Sequence, residues 1–327
     1  MEKLATGIAA IIAGVGASLL LFWLMNFLVE RLPEKASERL KPWVFAGPAV
    51  VFIGIFLVYP AVRTIYLSFL DGNGEAFVGL SNYTDLLRDS AFHQTILNTI
   101  LWLLVVPAMA VALGLLVAVL ADRLAPTGEK VSKSLIFLPM AVSMVGASTI
   151  FRFVYAYKPP GSEQIGLLNA IWVNVFGGEP QVWLQMSTLR LNSFLLMIIL
   201  IWLQVGYCMV LISAAIKNVP EETVEAARID GASEVQAFFR IVVPQIWGTV
   251  VTVFVTVFIG VMKIFDIVYV MTGGNFNTNV VALAFFKELF EFSNDGRSAA
   301  IVVILLLAVT PLMFYQVRRF RAEEAMR

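Results

Sequence analysis

Long apolar stretches alternate with short polar connections along the whole chain. Each apolar stretch contains about twenty residues, the length that an α-helix needs to cross the hydrocarbon core of a bilayer. The pattern predicts seven membrane-spanning helices, at residues 6–29, 43–70, 95–120, 134–151, 192–216, 246–271 and 298–317. The first stretch has 24 uncharged residues, more than the apolar region of an ordinary signal peptide, so we expect it to be an uncleaved span.

The basic residues between these stretches are unevenly distributed. Of the 23 lysines and arginines, 14 lie in the connections 30–42, 121–133 and 217–245 and in the tail from residue 318. The connections on the other side of the predicted membrane hold only seven. Because basic connections tend to stay in the cytoplasm, we expect the N-terminus outside and both the C-terminus and the 217–245 connection inside.

Composition agrees with a membrane protein and argues against other classes. Hydrophobic residues make up 59% of the 327 residues, charged residues make up 14%, and the mean hydropathy is +0.84. Soluble chains carry about 25% charged residues. The net charge of zero gives no basic field for a nucleic acid, and the single cysteine, Cys208, allows no internal disulfide. The sequence therefore predicts an all-α polytopic membrane protein in contact with membrane lipid.

The polar connection at 217–245, which we call the elbow, predicts two short helices joined by a glycine. Asn218 is expected to cap the first helix, Pro220 to lie in its first turn, and Gly231 to end it in the left-handed conformation. Ser233 begins the second helix, with Gln236 at the capping-box spacing. The second helix is expected to pack through an apolar stripe and to break at a proline before the next span; these residues are Val235, Phe238, Phe239, Val242 and Pro244.

The first helix of the elbow has the features of a docking surface. Ala226 and Ala227 have almost no side chain, so another surface can approach the backbone closely. Glu225 and Asp230 place charges at the edge of this surface. A rigid projection of this kind fits a socket on a partner protein, and the alternative is an amphipathic hairpin that lies on the membrane.

The elbow resembles the signature loop of permease subunits of ATP-binding-cassette (ABC) importers. Glu225-Ala226-Ala227, Gly231, Ile241 and Pro244 have the spacing of that loop, and Val243 stands where leucine is usual. The stretches GPAVVFIGIFLVYPAVRTIYLSF, GLSNYTDLL, LNTILW and FDIVYVMTGG resemble the carbohydrate branch of the family, and the maltose and α-glucoside type in particular. The resemblance implies a type I importer bundle with six core spans at 43–327, preceded at 1–42 by an extra span and a cytoplasmic linker.

The resemblance also implies a set of partners. Such a permease pairs with a second homologous permease, contacts two copies of an ABC ATPase, and receives sugar from an extracytoplasmic binding protein at the bacterial cytoplasmic (inner) membrane. The elbow would be the coupling helix, docked on the ATPase through Glu225, Ala226, Ala227, Asp230 and Gly231. The chain has no G-x-x-x-x-G-K-[ST] phosphate loop. We therefore expect no catalytic residue, metal ion or cofactor on this chain, with ATP and Mg²⁺ on the partner ATPase.

Polar side chains at membrane depth indicate where a solute could pass. Gln204 and Tyr207 share one face of the fifth span, and an amide with an aromatic ring suits a neutral sugar. By the resemblance, both correspond to positions that contact sugar in the maltose permease, whereas Leu200 replaces a polar contact there. The alternative is that these two residues form hydrogen bonds between helices and have no contact with the solute.

Two further groups are candidates for the pathway. Lys263 and Asp266 are predicted to share a face of the sixth span, either as a structural ion pair or as donors and acceptors for substrate hydroxyls. By the resemblance, Met140, Ser143 and Met144 stand in the region of the fourth span that lines the pathway, although methionine more often serves packing.

The main alternative function is an ion-coupled secondary transporter of a small polar solute. Such a transporter needs carboxylates within its spans as proton or sodium relays. Asp266 is the only acidic residue inside a predicted span, which disfavours this alternative. The sequence does not rank α-glucosides against other oligosaccharides or glycerol phosphate as the transported solute.

Overall fold

The computed structural model describes residues 2–31 and 33–325 of the chain. Regular structure in these ranges is helical, apart from one isolated antiparallel bridge between Leu70 and Phe77. The α-helices are α1 (Glu2–Glu30), α2 (Glu34–Ile53), α3 (Tyr59–Leu67), α4 (Ser81–Arg88), α5 (Ser90–Asp122), α6 (Pro126–Phe137), α7 (Met144–Val154), α8 (Leu167–Phe176), α9 (Leu191–Lys217), α10 (Glu221–Ile229), α11 (Glu234–Ala237), α12 (Val243–Met262), α13 (Asp266–Thr272), α14 (Val281–Phe286) and α15 (Asp295–Ala325).

Several helices have the length and apolarity of membrane spans, which confirms the predicted all-α polytopic class. Five qualify in the described part of the chain, at Ala9–Phe27, Ser37–Leu67, Ser90–Asp122, Thr188–Lys217 and Glu234–Met262, and a sixth is added if a bent pair counts as one span. The predicted seventh span, 298–317, lies within α15, and several of its side chains are outside the described ones. The count of seven spans stays a prediction.

The fourth predicted span, 134–151, is not one straight helix. Pro126–Ala141 and Met144–Val154 meet at an angle of 102°. The break is local in origin: Val142 is extended, and the Ser143 hydroxyl accepts the Gly146 N–H at 3.0 Å, so it caps a new helix. The uniform apolarity of this stretch concealed the break.

The sixth predicted span, 246–271, is also interrupted. Helix α12 ends at Met262 with Lys263 as its C-cap, and α13 begins at Asp266. The two polar residues therefore flank a break between helices, and the prediction that they share a helix face is wrong.

Contacts within the chain divide it into two units, Met1–Tyr66 and Leu67–Arg327. In the first unit, α1 and α2 pack together, and the rings of Phe22 and Phe45 stack with centroids 6.4 Å apart. The apolar side chains described on α1, such as Leu19 and Trp23, are mostly exposed, as suits a helix in lipid. The boundary at residue 42, proposed from the resemblance, separates the extra span and its linker from the six core spans and does not depend on contacts within the chain. It stays a prediction.

The core of the second unit is built on the crossing of α5 and α9. A β-carbon at Gly114 of α5 would lie 2.5 Å from Cβ of Cys208 and 2.9 Å from the backbone N of Met209. Gly206 of α9 is packed as closely against the backbone of Ile136, on α6. Glycines at both contacts let the backbones approach, which is the usual way in which helices pack tightly in membranes.

Candidate functional site

The elbow has the predicted helix–glycine–helix form. Helix α10 ends at Ile229, and Gly231 has φ of +86°, in the left-handed region. The Gly231 N–H donates to Arg228 O (3.0 Å), and the Ala232 N–H donates to Ala227 O (2.9 Å). This pair of bonds is a Schellman motif, which closes a helix end firmly. The predicted role of Gly231 as the helix terminator is confirmed.

The start of the elbow differs from the prediction. Pro220, and not Asn218, is the N-cap of α10, and Asn218 instead ends α9. The capping box of the second helix is present as predicted: the Ser233 N–H donates to Gln236 Oε1 at 2.9 Å, and the Gln236 N–H donates to Ser233 Oγ at 3.3 Å.

A salt bridge that the sequence analysis missed joins the two helices of the elbow. Arg228 donates from Nε to Glu234 Oε1 (2.8 Å) and from Nη2 to Glu234 Oε2 (3.2 Å). The hydrogen bond to Glu234 raises the pKa of the Arg228 guanidinium. The two residues are six positions apart across a glycine turn, a spacing that no helical periodicity indicates. The contact is bidentate and largely exposed, and it adds a link between α10 and α11 across the glycine turn.

Only part of the predicted apolar stripe of the second elbow helix is buried. Ala237 and Val242 are buried, whereas Val235 and Phe239 are exposed. Phe238, another member of the stripe, is half-buried.

Pro244 does not break this helix as predicted. A π-helical turn at Phe238–Val242 pairs the Val243 N–H with Phe238 O, five residues back, and the helix continues through Val243 and Pro244 into α12. A local widening of this kind accommodates a proline ring that would otherwise end the helix.

Most of the predicted docking residues lie on the surface of the elbow. Glu225, Ala226, Asp230 and Gly231 are exposed, whereas Ala227 is buried inside the elbow and only its neighbour Ala226 can meet another surface. The sequence analysis missed Ile229, whose side chain is 86% exposed. The Ile229 side chain lies between the exposed Arg228 and Asp230 and is therefore accessible to a partner protein.

A cluster of charged residues lies where the elbow joins the spans. Lys133 Nζ donates to Asp122 Oδ1 (2.6 Å), to Glu129 Oε1 (2.5 Å) and to the Ser213 hydroxyl. Lys217, the last residue of α9, pairs with Glu129 as well. The side chains of Lys133, Asp122 and Glu129 are only 17–19% exposed. The cluster therefore ties α5, α6 and α9 together next to the elbow. Glu129 and Lys133 form an i,i+4 pair on α6, whereas the contacts with Asp122 and Lys217 depend on how the three helices pack.

A cavity separates the elbow from the neighbouring end of α5. Its volume is about 550 Å³. Its walls are mostly apolar, and charged groups from α5 and the elbow line it as well; the residues that matter here are Leu116, Val119, Phe239, Arg123 and Glu234. The elbow and the end of α5 thus line this cavity together.

The polar pair predicted in the fifth span is present in an accessible form. Gln204 and Tyr207 are both half-buried on α9. Neither the Gln204 amide nor the Tyr207 hydroxyl has a hydrogen-bond partner among the residues that the structure describes. Leu200, on the same helix, is buried. Tyr207 also packs against the core of the second unit, and contact of this pair with a solute stays a prediction.

The other pathway candidates lie in the fourth and sixth predicted spans. Met140 is exposed and Met144 is half-buried against the core of the second unit, while the Ser143 oxygen caps α7. Lys263 is exposed and Asp266 is half-buried, and in the described ranges no ion pair joins them. The structural ion pair considered for these two residues is therefore absent.

Helical spans and an elbow between α9 and α12 are the main features of this chain, and the comparisons with known proteins show the family to which they belong. Residues 80–319 match the family model described as "Binding-protein-dependent transport system inner membrane component". The chain belongs to this family. It is therefore a multi-pass inner-membrane transport component and not an enzyme, and the predicted ABC-importer permease class is confirmed.

Relatives and solved structures agree with this assignment. The chain is 44% identical over 337 residues to the alpha-glucoside transport system permease protein AglF of Rhizobium meliloti, with 99% of each chain covered. It is 48% identical over 284 residues to the osmoprotective compounds uptake permease protein GgtC of Synechocystis sp., covering 87% of this chain and 100% of that one. A bacterial ABC transporter involved in the import of alginate has the same fold, with a TM-score of 0.73 at 18% identity over 88% of this chain and 99% of that one.

Proposed function

We propose that this chain is a permease subunit of an ATP-driven importer that moves an α-glucoside or a small oligosaccharide into the cytoplasm. The observation that carries the proposal is the 44% identity to an alpha-glucoside permease over 99% of both chains. Identity of this extent includes the spans that contain the solute pathway, and so extends beyond the elbow. Gln204 and Tyr207 supply the unpaired amide and aromatic ring that a neutral sugar would use.

The proposed complex contains a second homologous permease, two copies of an ABC ATPase and an extracytoplasmic sugar-binding protein. ATP and Mg²⁺ would be held by the ATPase. The elbow would face the cytoplasm and dock on the ATPase through Glu225, Ala226, Ile229, Asp230 and Gly231. Burying the Ile229 side chain in a socket would contribute about 1.5–3 kcal/mol to that contact.

The proposed movement follows from how the elbow is attached. Its internal salt bridge and capping box make it stiff, and the charge cluster beside Lys217 connects it to α5, α6 and α9. Closure of the ATPase would push the elbow as one body, and the connected helix ends would carry the displacement to the pathway. The N-terminus would be outside and the C-terminus inside, as the distribution of basic residues favours.

The experiment that tests the proposal is uptake into proteoliposomes that contain both permeases and the ATPase, with binding protein outside and ATP inside. Labelled maltose, sucrose and trehalose are compared. We expect ATP-dependent accumulation of at least one of them, unaffected by ionophores that collapse ion gradients. Uptake that requires an ion gradient instead of ATP would refute the proposal.

The residues of the pathway are tested in the same vesicles. The variants Gln204→Leu and Tyr207→Phe remove one polar group each and should raise the sugar concentration for half-maximal uptake about tenfold, because each loses a hydrogen bond of about 1–1.5 kcal/mol. Leu211→Ala, an exposed position on the same helix, serves as the control. Unchanged half-maximal concentrations in both variants would exclude these residues from the pathway.

A second candidate is the uptake of osmoprotective compounds. The 48% identity over all of the GgtC chain favours it. Competition separates the two candidates. In an α-glucoside importer, excess sucrose or trehalose lowers the uptake of labelled maltose. In an importer of other osmoprotectants, excess sucrose or trehalose does not lower the uptake of the transported compound.

A further inference from the structure

The cavity between α5 and the elbow extends along α5 into the predicted membrane. On this helix its wall runs from Ala112 through Leu116 and Val119 to Arg123. At 1.5 Å per residue, this length of helix covers about 16 Å. The distance is close to the thickness of one leaflet, which is half of the roughly 30 Å hydrocarbon core. Since the apolar span on α5 ends at Asp122, the wall starts near the membrane surface and reaches towards the middle of the bilayer.

The part of the cavity away from Arg123 is apolar and accessible from outside the chain. Leu116 is 53% exposed, and Val235 and Phe239, which line the wall on the elbow side, are 64% and 62% exposed. An apolar space within the membrane stays free of water, whereas a lipid chain that enters it gains dispersion contacts with both walls. The cavity therefore suits a ligand that is dissolved in the bilayer.

The end of the cavity at the membrane surface carries charges of both signs. Arg123 and Arg228 line it as cations, and Asp122 and Glu234 line it as carboxylates. Arg228 is held by Glu234. Arg123 makes no hydrogen bond or salt bridge to the described residues, although Glu234 is near enough for their charges to interact. Asp122 uses only Oδ1 in its bonds, so its Oδ2 has no partner in the same ranges.

We propose that this cavity binds one molecule of phosphatidylethanolamine from the cytoplasmic leaflet. In this site the phosphate contacts the Arg123 guanidinium, the ammonium group contacts Asp122 Oδ2, and one acyl chain lies against Leu116 and Phe239. A guanidinium suits a phosphate, and a carboxylate oxygen suits an ammonium donor. Phosphatidylglycerol has no cation for Asp122, and the quaternary amine of phosphatidylcholine has no N–H to donate. The headgroup that carries both a phosphate and a primary ammonium is therefore the best match to these two free groups.

A helix of the second permease is the alternative occupant of the cavity. An apolar helix would cover Leu116 and Phe239 equally well, but it would leave the Arg123 guanidinium and Asp122 Oδ2 without partners. Polar groups at such a boundary need hydrogen bonds, which a lipid headgroup supplies. The lipid site shares no residue with the proposed solute pathway or with the docking residues of the elbow. It depends on the proposed function only for its cytoplasmic orientation.

The test is lipid retention by the full-length chain in detergent, measured by native mass spectrometry. The chain is mixed with equal amounts of dioleoyl phosphatidylethanolamine, phosphatidylglycerol and phosphatidylcholine. We expect phosphatidylethanolamine to be retained about tenfold more than either of the others, the ratio expected for one charge-assisted hydrogen bond. Equal retention of the three lipids, or preference for another headgroup, would overturn the proposal.

Two variants locate the site. Leu116→Trp fills the apolar part of the cavity, and Arg123→Gln removes the partner of the phosphate. Each should lower retention of phosphatidylethanolamine about tenfold. The matched controls are Leu120→Trp, at an exposed position of α5 outside the cavity, and the exposed Lys130→Gln. Retention that both variants keep, or that the controls lose to the same extent, would mean that the lipid binds elsewhere and would refute this site.

A second measurement separates binding from folding. Added phosphatidylethanolamine should raise the thermal midpoint of the unmodified chain and of both controls, because a ligand that binds the folded state stabilises it. The midpoints of Leu116→Trp and Arg123→Gln should not rise, whatever their values without lipid, and an equal rise in these variants would contradict the proposal. In the assembled complex, a photo-crosslinker at position 116 should join lipid, and crosslinks to the second permease would show that its helix fills the cavity instead. None of these readouts uses sugar transport, so their failure differs from a failure of ATP-driven uptake, which would refute the proposed function alone.

Discussion

The conformation of Gly231 offers a quantitative test of the elbow. Its φ is +86°, and a β-carbon added there would have no heavy atom within 4 Å. A substitution therefore meets no steric obstacle within the chain, and its only internal cost is the backbone conformation. That cost is about 1–2 kcal/mol for most residues, smaller for asparagine and largest for a β-branched residue such as valine.

This cost translates into a weaker contact with the ATPase. If the elbow holds the docking conformation only part of the time, the apparent affinity falls by the same fraction. A cost of 1–2 kcal/mol corresponds to a factor of about 5–30. We therefore expect Gly231→Val to raise the ATPase concentration needed for half-maximal complex formation by about that factor, with Gly231→Ala intermediate and Gly231→Asn mildest.

The assay is titration of the permease pair in nanodiscs with the ATPase, followed by ATP-driven sugar uptake for the same variants. The order of the variants carries the test, because two causes predict opposite orders. If the backbone is the cause, Asn is tolerated better than Ala; if the partner presses on this position, the smaller Ala is tolerated better than Asn. Equal binding by all three variants would refute a docking role for the turn.

The remaining predictions concern the packing and the charges that hold the elbow and the spans in place. Gly114→Ala should lower the thermal midpoint of the detergent-solubilised chain, because overpacking at the α5–α9 crossing costs about 1–3 kcal/mol. Gly260→Ala, with no heavy atom near its β-carbon, is the control, and equal midpoints would contradict the packing. Lys133→Met should lower the midpoint by about 2–4 °C and reduce uptake per ATP hydrolysed, because Asp122 and Glu129 lose their shared cation. The exposed Lys130→Met should do neither, and an intact transport ratio in Lys133→Met would exclude the cluster from coupling. At Asp89, burial raises the pKa, but the Ala91 N–H and Arg297 outweigh it and hold the pKa below its ordinary value. Ionised Asp89 thus stabilises the fold above pH of about 4 and less as the pH falls. Asp89→Asn should flatten the acid side of a plot of stability against pH, and the control Asp85→Asn should not. Identical plots for Asp89→Asn and the unmodified chain would refute the contribution of this ion pair.

The local sequence was sufficient to predict several features of this protein. Apolar stretches of the length of a bilayer lead to helical spans, because backbone hydrogen bonds cannot be left unmade in hydrocarbon. The helix end at Gly231 and the capping box at Ser233 depend on contacts within a few residues, so their sequence signals were reliable. The family resemblance rested on this segment together with stretches outside it, such as GLSNYTDLL and FDIVYVMTGG, and the match to the binding-protein-dependent transport family confirmed it.

The tertiary structure decided which side chains reach a surface and which hold the helices together. No sequence rule places Ala227 inside the elbow and Ile229 outside, because that choice depends on where α10 meets the rest of the chain. The charge cluster of Asp122, Glu129 and Lys133 with Lys217 forms only when the ends of α5 and α9 lie next to α6. Contacts between segments far apart in sequence set these features, and such contacts exist only once the helices have packed.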